Sequence, residues 1–228
     1  MKRKKFEEIA DALELKIISG ALKVQDRLPP EREIMEMFAA GRASVREALF
    51  SLERKGLVEM RHGARGRVAE PSVQPLVETL SGAARYFLSR PRGAKKMQDA
   101  RISVEAMLAR DAARKAGPDD IERLYAAFEA NAAATDAGEF QKTDLAFHST
   151  IADIVGNEVF IALVSALHDW LIEQRAVSSQ AVSTQDVVAE HREIYEAIAA
   201  GREYPALEAM ERHLTAVSER YWRAITED

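Results

Sequence analysis

The chain has 228 residues, of which 47% are hydrophobic and 30% charged, and it contains no cysteine. This composition excludes a disordered chain, disulfides and thiolate metal ligands, and it suits a reducing compartment, so we expect a cytoplasmic protein. The net charge of -5 is uneven, because residues 1–70 carry 15 basic and 12 acidic side chains and the rest carry 17 and 25. A basic segment on an acidic body favours one region that meets a polyanion.

The N-terminal stretch "MKRKKFEEIADALELKIISG" is not a secretory signal, because acidic residues interrupt it before an apolar run forms. No apolar stretch reaches the roughly 18 residues of a membrane span. The sequence therefore predicts a protein that makes no membrane contact.

The first 70 residues predict three helices and a β-hairpin. Apolar residues recur at helical spacing over 4–19, a second helix follows Pro30, and a third extends through "GRASVREALFSLERKGL" until Gly56 stops it. "LVEM" and "GRVAE" predict two short strands around the tip "RHGARG". This order is that of a winged helix-turn-helix.

The start of the third helix has the residues that a DNA-reading helix needs. Gly41, Ala43 and Ser44 are small enough to let the backbone approach, and Arg42 and Arg46 are long donors four residues apart. Each feature alone is also compatible with an ordinary solvated face. Their arrangement within one unit of about 40 residues favours nucleic-acid binding.

The proline-containing stretch "AEPSVQP" predicts a linker, and the chain after it is helical almost throughout. We assign 1–70 to a DNA-binding domain, 71–75 to the linker and 76–228 to an all-helical domain for effector binding and dimerisation. The fold class is therefore mainly α, with the winged helix-turn-helix followed by an antiparallel bundle of six or seven helices. The predicted helices are roughly 76–89, 97–116, 118–134, 137–155, 157–177, 184–200 and 204–225.

Four of the five histidines lie in the helical half. Asp144 and His148 are four residues apart and share one helical face, while His191 and His213 lie on two other predicted helices. If they converge, three imidazoles and a carboxylate would bind a divalent metal such as zinc, nickel or manganese. Histidines on separate helices are also commonly surface residues or hydrogen-bonded core residues, so the pattern alone leaves both interpretations open.

The segment "LPPEREIMEMFAAGRASVREALFSLERKGLVEMRHGARGRV" resembles the DNA-binding domain of GntR-type transcriptional regulators. The resemblance implies DNA contacts from Arg32, Arg42, Ser44 and Arg46, with His62 and Gly63 at the wing tip. The segment departs from the family pattern at a few turn positions, and these departures change the stiffness of turns more than the reading surface. They are Val24 and Gln25 in place of Pro-Gly, Pro30 in place of Ser, and Ala43 in place of Pro.

The helical half resembles the ligand-binding domain of the FadR-type branch of this family, through "DLAFH", "EHREIYEAI" and "ERHL". The resemblance implies an Asp-His-His-His metal site, with zinc as the first choice, at Asp144, His148, His191 and His213. It also implies that Arg101 in "RISVEAML" meets the carboxylate of a small organic acid, and we place Glu105 and Arg175 in the same pocket. His168 matches no ligand position, and we expect a structural role for it.

We therefore predict a homodimeric regulator of double-stranded operator DNA, a repressor of a catabolic operon controlled by a small carboxylic acid at the metal site. "LVETLSGAARYFLSRPRG" and "VGNEVFIALVSALHDWLIEQR" are most similar to the sialic-acid-responsive repressors of the branch. One alternative is a regulator that senses the metal itself. A metal-dependent enzyme is the other, with Glu105 and Glu190 as the carboxylates to consider for general base.

Overall fold

The computed structural model describes residues 4–61, 65–171 and 184–226. The chain divides into two compact units, Met1–Thr79 and Leu80–Asp228, and each has its own hydrophobic core. Within the described ranges, no helix combines the length and the apolar character that crossing a bilayer requires.

The first unit has the predicted order of helices and hairpin. Helices α1 (Lys5–Ile18) and α2 (Glu31–Phe38) both pack against α3 (Arg42–Arg54). Strand β1 (Val58–Glu59) pairs antiparallel with β2 (Arg67–Val68), with Val58 opposite Val68. The predicted winged helix-turn-helix order is thus confirmed.

The core of this unit explains which face of α3 is free. Val45, Leu49 and Leu52 are buried together with Ile9 and Leu13 of α1. Because a helix repeats every 3.6 residues, this apolar stripe turns the arginines of the first turns toward solvent.

The turn between α2 and α3 differs from the sequence expectation, which centred it on Ala40–Gly41. The residue that turns the chain is Ala39, which ends α2 in the left-handed region at φ 47, whereas Gly41 has an extended φ of -75 and caps α3. A left-handed alanine costs roughly 1–2 kcal/mol. At the other end of α3, Gly56 has a φ of 70, which agrees with the predicted stop.

The described helices that follow the hairpin are α4 (Gln74–Leu88), α5 (Pro91–Lys115), α6 (Pro118–Ala132), α7 (Ala137–Val155), α8 (Glu158–Trp170), α9 (Thr184–Ala199) and α10 (Glu203–Thr226). Helix α4 begins inside the predicted linker, and the division between the units falls within it. The second unit packs around α5, which contacts α7, α8, α9 and α10, while α6 packs against α7 and α9.

Two of these boundaries differ from those predicted by more than two residues. Helix α5 starts at Pro91 rather than at 97, because a proline at the first helical position needs no hydrogen bond for its nitrogen, so "RPRG" begins the helix instead of breaking it. The predicted helix over 157–177 is seen from Glu158 to Trp170, and its remainder from 172 onward lies outside the described residues.

Helix α7 carries two of the candidate ligands, and its ends are set by local chemistry. The Asp136 side chain accepts a hydrogen bond of 2.8 Å from the Glu139 amide, and Gly156 ends the helix with a φ of 72. Its buried face includes Phe147 and Ile151, on either side of His148. Capping and packing therefore fix the rotation of α7 about its axis.

Replacing Leu124 with Ala is expected to lower the free energy of unfolding of the second unit by about 2–5 kcal/mol, because the side chain is fully buried and a cavity would remain. The two tryptophans, Trp170 and Trp222, both lie in this unit, so tryptophan fluorescence during urea titration reports on it alone. Val159, which is 51% exposed, is the control, and Val159→Ala should change stability by no more than about 0.5 kcal/mol. Equal effects of the two substitutions would contradict the assigned core.

Candidate functional site

The first candidate site is the N-terminal part of α3 with the arginine of α2. Gly41 is the N-cap and Arg42 the first helical residue, so Arg42 and Arg46 lie in the first two turns with exposed side chains. Ser44 is half-buried between them, and Arg32 on α2 has a side chain that is 89% exposed. The structure thus places the four described DNA-contact candidates on the solvent side of the two helices.

Two of these arginines lie near carboxylates. Arg32 Nε is 3.0 Å from Glu36 Oε1, and Arg42 Nε is 3.9 Å from Glu31 Oε2. Exposed ion pairs of this kind contribute about 0–1 kcal/mol, so phosphate oxygens can replace the carboxylates at little cost. His62 and Gly63, the predicted wing-tip contacts, lie outside the described residues.

The second candidate site is a cluster of side chains inside the helical unit. Asp144 and His148 of α7, His191 of α9 and His213 of α10 each offer a ligand atom, and these atoms all lie within 4.8 Å of one another. Nε2 of His191 is 3.3 Å from Nε2 of His213 and 3.5 Å from Asp144 Oδ1, which is 3.9 Å from His148 Nε2. The three rings are buried. The structure therefore brings together the four residues that the sequence singled out.

The outer nitrogen of each ring faces an oxygen of another side chain. Nδ1 of His191 is 2.9 Å from Asn131 Oδ1, and Nδ1 of His213 is 2.7 Å from Glu190 Oε2. Nδ1 of His148 is 2.6 Å from Glu105 Oε2. This last pair is a close charge contact whose geometry falls outside that of a hydrogen bond.

These contacts determine where the ring protons are. Carboxylate and amide oxygens accept hydrogen bonds, so each Nδ1 carries a proton and Nε2 is the nitrogen that each ring turns toward the cluster. Two lone pairs 3.3 Å apart repel each other unless a cation lies between them. Among the described residues, His148 Nε2 is buried without a hydrogen-bond partner. Three imidazole nitrogens and a carboxylate oxygen therefore fit a divalent cation that prefers nitrogen and oxygen ligands.

Burial also keeps the rings of His191 and His213 neutral. Burial lowers the pKa of His191 well below its ordinary value, with a further contribution from His213 that outweighs the opposing effect of Asp144. Burial likewise lowers the pKa of His213, and the neighbouring His148 lowers it further. At neutral pH both rings are available as metal ligands.

Glu105 joins the cluster to a buried arginine. Its Oε1 accepts a hydrogen bond of 2.6 Å from Arg101 Nε and lies 3.0 Å from His168 Nε2. Burial acts to raise the pKa of Glu105, but Arg101 and the two rings of His148 and His168 outweigh it and hold this pKa well below its ordinary value. Glu105 is therefore an ionised acceptor at neutral pH.

Glu105, His148 and His168 form a second group with ligand-like spacing. The guanidinium of Arg101 already compensates the charge of Glu105 and would repel a cation placed there. We therefore interpret this group as support for His148 rather than as a second metal site. His168, for which the sequence predicted a structural role, contributes to that support.

The effector-site candidates have different surroundings. Arg101 and Glu105 lie one turn apart on α5, both buried and bonded to each other, whereas Arg175 lies outside the described residues. Glu105 is engaged on both oxygens, so it supports the site from behind. Within the described part of the chain, Arg101 donates its side-chain hydrogen bond from Nε rather than from either Nη group.

Sequence reasoning missed Asn131 and the ion pair between Arg220 and Glu190. Asn131 gave one weak signal, because it continues the apolar stripe of Leu124 and Phe128 on α6 and a buried amide needs a partner. Arg220 lies two helical turns after His213 and gave no signal that distinguishes it from a surface arginine.

Comparison with known proteins assigns both units. Residues 5–68 match the family described as bacterial regulatory proteins, gntR family, and residues 96–216 match the FCD domain. A Klebsiella aerogenes protein named HTH-type transcriptional repressor NanR is 40% identical over 98% of this chain and 87% of its own length. The protein of that name from Escherichia coli K12 is 39% identical over 95% of this chain and 84% of its own length.

Solved structures agree on the fold. The Streptococcus agalactiae GntR structure has a TM-score of 0.58 at 24% identity and covers 94% of this chain and 99% of its own. The E. coli McbR/YncC structure has a TM-score of 0.55 at 14% identity, covering 97% of this chain and 98% of its own.

Metal-free protein is expected to lose stability in its second unit as the pH falls from about 7.5 to about 5.5. The unfolded chain takes up protons on His191 and His213 near their ordinary pKa of about 6.5, whereas the folded rings, with lowered pKa values, stay neutral. The unfolded state thus binds more protons, and the free energy of unfolding falls by up to about 1.4 kcal/mol per pH unit for each ring.

Urea titrations with a chelator present, followed by tryptophan fluorescence at several pH values, measure this slope. Glu105 also has a lowered pKa, but its contribution is lost only below its ordinary carboxyl range and outside this window. A stability that stays constant or rises as the pH falls would mean that the folded rings are protonated.

Proposed function

This chain is a member of the GntR family of bacterial regulatory proteins with an FCD domain, and on that premise we propose that it represses a catabolic operon under control of a small carboxylic acid. The family makes it a DNA-binding transcriptional regulator and not an enzyme. The relatives named transcriptional repressor support repression as the sign of regulation. The observation that carries the effector proposal is the charge balance of the histidine cluster.

We assign DNA recognition to the N-terminal part of α3. Arg42, Ser44 and Arg46 enter the major groove, and Arg32 of α2 contacts the backbone, because these side chains lie on the exposed side of a helix whose opposite side is core. The wing tip with His62 and Gly63 would contact the adjacent groove. A homodimer would present two such heads to two half-sites of double-stranded operator DNA.

We propose that Asp144, His148, His191 and His213 hold a divalent metal, with zinc first and nickel or manganese as alternatives. Bound there, the ion would act as a Lewis acid with coordination positions left for a ligand oxygen. Imidazoles that bind the ion through Nε2 and keep their proton on Nδ1 carry no charge, so the single carboxylate of Asp144 would leave the loaded site with one positive charge. The two outer carboxylates do not remove it, because Glu105 pairs with Arg101 and Glu190 with Arg220.

A ligand carboxylate with one negative charge would neutralise the remaining positive charge of the metal-loaded site. Arg101 lies beside the cluster with Nε fixed by Glu105, so its Nη groups can grip a carboxylate in a planar, bidentate manner. We keep Arg175 as a candidate residue of the effector pocket on the basis of the sequence alone. Sialic acid is the first effector to test, because the sequence stretches around α4 and α8 are most similar to the sialic-acid-responsive repressors.

The contacts of Glu105 and Glu190 also help to judge the two alternative functions, a metal-dependent enzyme and a metal sensor. Glu190 contacts His213 and Arg220, and both oxygens of Glu105 are occupied, so neither carboxylate is available as a general base. A metal sensor remains the competing regulator, because the same four ligands would serve it. The two regulators differ in whether an organic acid changes operator affinity.

Arg42→Ala and Arg46→Ala are each expected to weaken operator binding about 10- to 100-fold, since a base or phosphate contact is lost. Fluorescence anisotropy with a duplex selected by the parent protein, at about 150 mM salt, measures the effect. Arg54→Ala, at the exposed far end of the same helix, is the matched control and should bind within about threefold of the parent. If the first two variants bind as tightly as Arg54→Ala, α3 does not read the operator as proposed.

In chelator-treated protein reloaded with zinc, N-acetylneuraminic acid is expected to weaken operator binding, and this response should disappear in His213→Ala. His168→Gln is the matched control, because it keeps a donor for Glu105 and is not a proposed ligand. The measurement is operator affinity with zinc and acid added in turn. A change caused by zinc alone, with no effect of N-acetylneuraminic acid or other small acids, would establish the metal sensor instead.

A further inference from the structure

Asn131 is a buried amide at the histidine cluster on a helix that supplies none of the four candidate ligands. Asn131 is 1% exposed and lies near the end of α6, which packs against α7 and α9. The ligands come from α7, α9 and α10. A buried amide is costly unless it is fully bonded, so its contacts indicate what it does.

The contacts of Asn131 determine the orientation of its amide. Nδ2 donates to Phe140 O at 3.3 Å and to Thr143 Oγ1 at 3.1 Å. The Thr143 hydroxyl donates its own proton to Glu139 O at 2.8 Å, so it serves Asn131 as an acceptor. With both donors used on α7, Oδ1 must be the atom that faces His191 Nδ1 at 2.9 Å.

We infer that Asn131 is a positioning residue of the metal centre. Its amide selects the Nδ1-protonated tautomer of His191 and holds the His191 ring against α7, the helix that carries Asp144 and His148. This inference rests on the proposed metal site. One amide joins two ligand-bearing helices: its oxygen fixes the ring on α9, and its nitrogen fixes the turn of α7 that leads into Asp144. Loss of the amide would let the ring rotate or change tautomer, which would remove the Nε2 lone pair from the site.

The choice of an amide fits the charge of the site. The other two outer acceptors are carboxylates, and each is paired with an arginine, Glu105 with Arg101 and Glu190 with Arg220. The amide of Asn131, which accepts from His191, is neutral, so no third arginine is needed to balance its charge. It leaves the single positive charge of the loaded site for the effector.

The test uses Co²⁺ as the probe, because its absorption spectrum reports coordination geometry and its affinity can be measured by competition with a chelator. Asn131→Leu keeps the volume but removes the acceptor, and it should lower Co²⁺ affinity by about 10- to 100-fold and change the visible spectrum. Thr143→Val is the matched control, since it removes one acceptor of Nδ2 and keeps the bond to His191. Its affinity should stay within about threefold of the parent.

Asn131→Asp distinguishes positioning from packing. The carboxylate still accepts from His191 Nδ1 but loses both Nδ2 donor bonds to α7, so the parent spectrum should return while the affinity recovers only in part. Parent-like affinity and spectrum in Asn131→Leu would overturn the inference, and so would an Asn131→Asp protein as impaired as Asn131→Leu. If tryptophan fluorescence shows that Asn131→Leu does not fold, the Co²⁺ spectrum of Asn131→Asp becomes the test. A parent-like spectrum supports the positioning role, and an altered spectrum overturns it. Failure of the parent itself to bind Co²⁺ through His213, judged against His213→Ala, would instead refute the proposed metal site.

Discussion

The protonation of three outer ring nitrogens is the constraint on which the helical unit depends. Because His148, His191 and His213 each meet an oxygen acceptor at Nδ1, their Nε2 lone pairs converge on Asp144 without protons between them. Neutral rings packed against one another without a shared proton are unfavourable unless a cation draws them together. The ring tautomers are thus set by residues outside the ligand set, and those residues determine what the cluster can bind.

The surrounding helices keep this arrangement in place. Helix α5 packs against four other helices and carries the Arg101–Glu105 pair on its inner side, so the support for His148 belongs to the most buried helix of the unit. The aliphatic core next to the cluster, including Leu108, Ile151 and Ile194, supplies burial that offsets the cost of the polar groups. Removing Arg101 or Glu105 would leave its partner as an uncompensated buried charge.

Sequence reasoning reached the candidate ligands but not their support, and the reason is the range of the contacts. Helical periodicity joined Asp144 to His148, and the resemblance to the FadR-type branch pointed to His191 and His213. Asn131 meets His191 across 60 residues, a pairing that no local pattern encodes. The same limit applies to the first unit, where periodicity predicted the face of α3, but the left-handed turn fell on Ala39 because tertiary packing outweighed local preference. The start of α5 was missed for a local reason, since Pro91 was treated as a break.

The division into two units, each with its own core, limits how an effector can control DNA binding. Among the described residues, neither core includes members of the other unit, so the proposed effector site and α3 rest on separate cores. Control must then come from a coupling free energy between two arrangements of the protein that bind the acid and the operator differently. Such coupling is reciprocal: an acid that weakens operator binding by a given factor is itself bound more weakly, by the same factor, when the operator is present. A repressor of this kind begins to lose operator affinity once its acid exceeds the dissociation constant of the free protein, and the effect saturates above the higher dissociation constant of the operator-bound form.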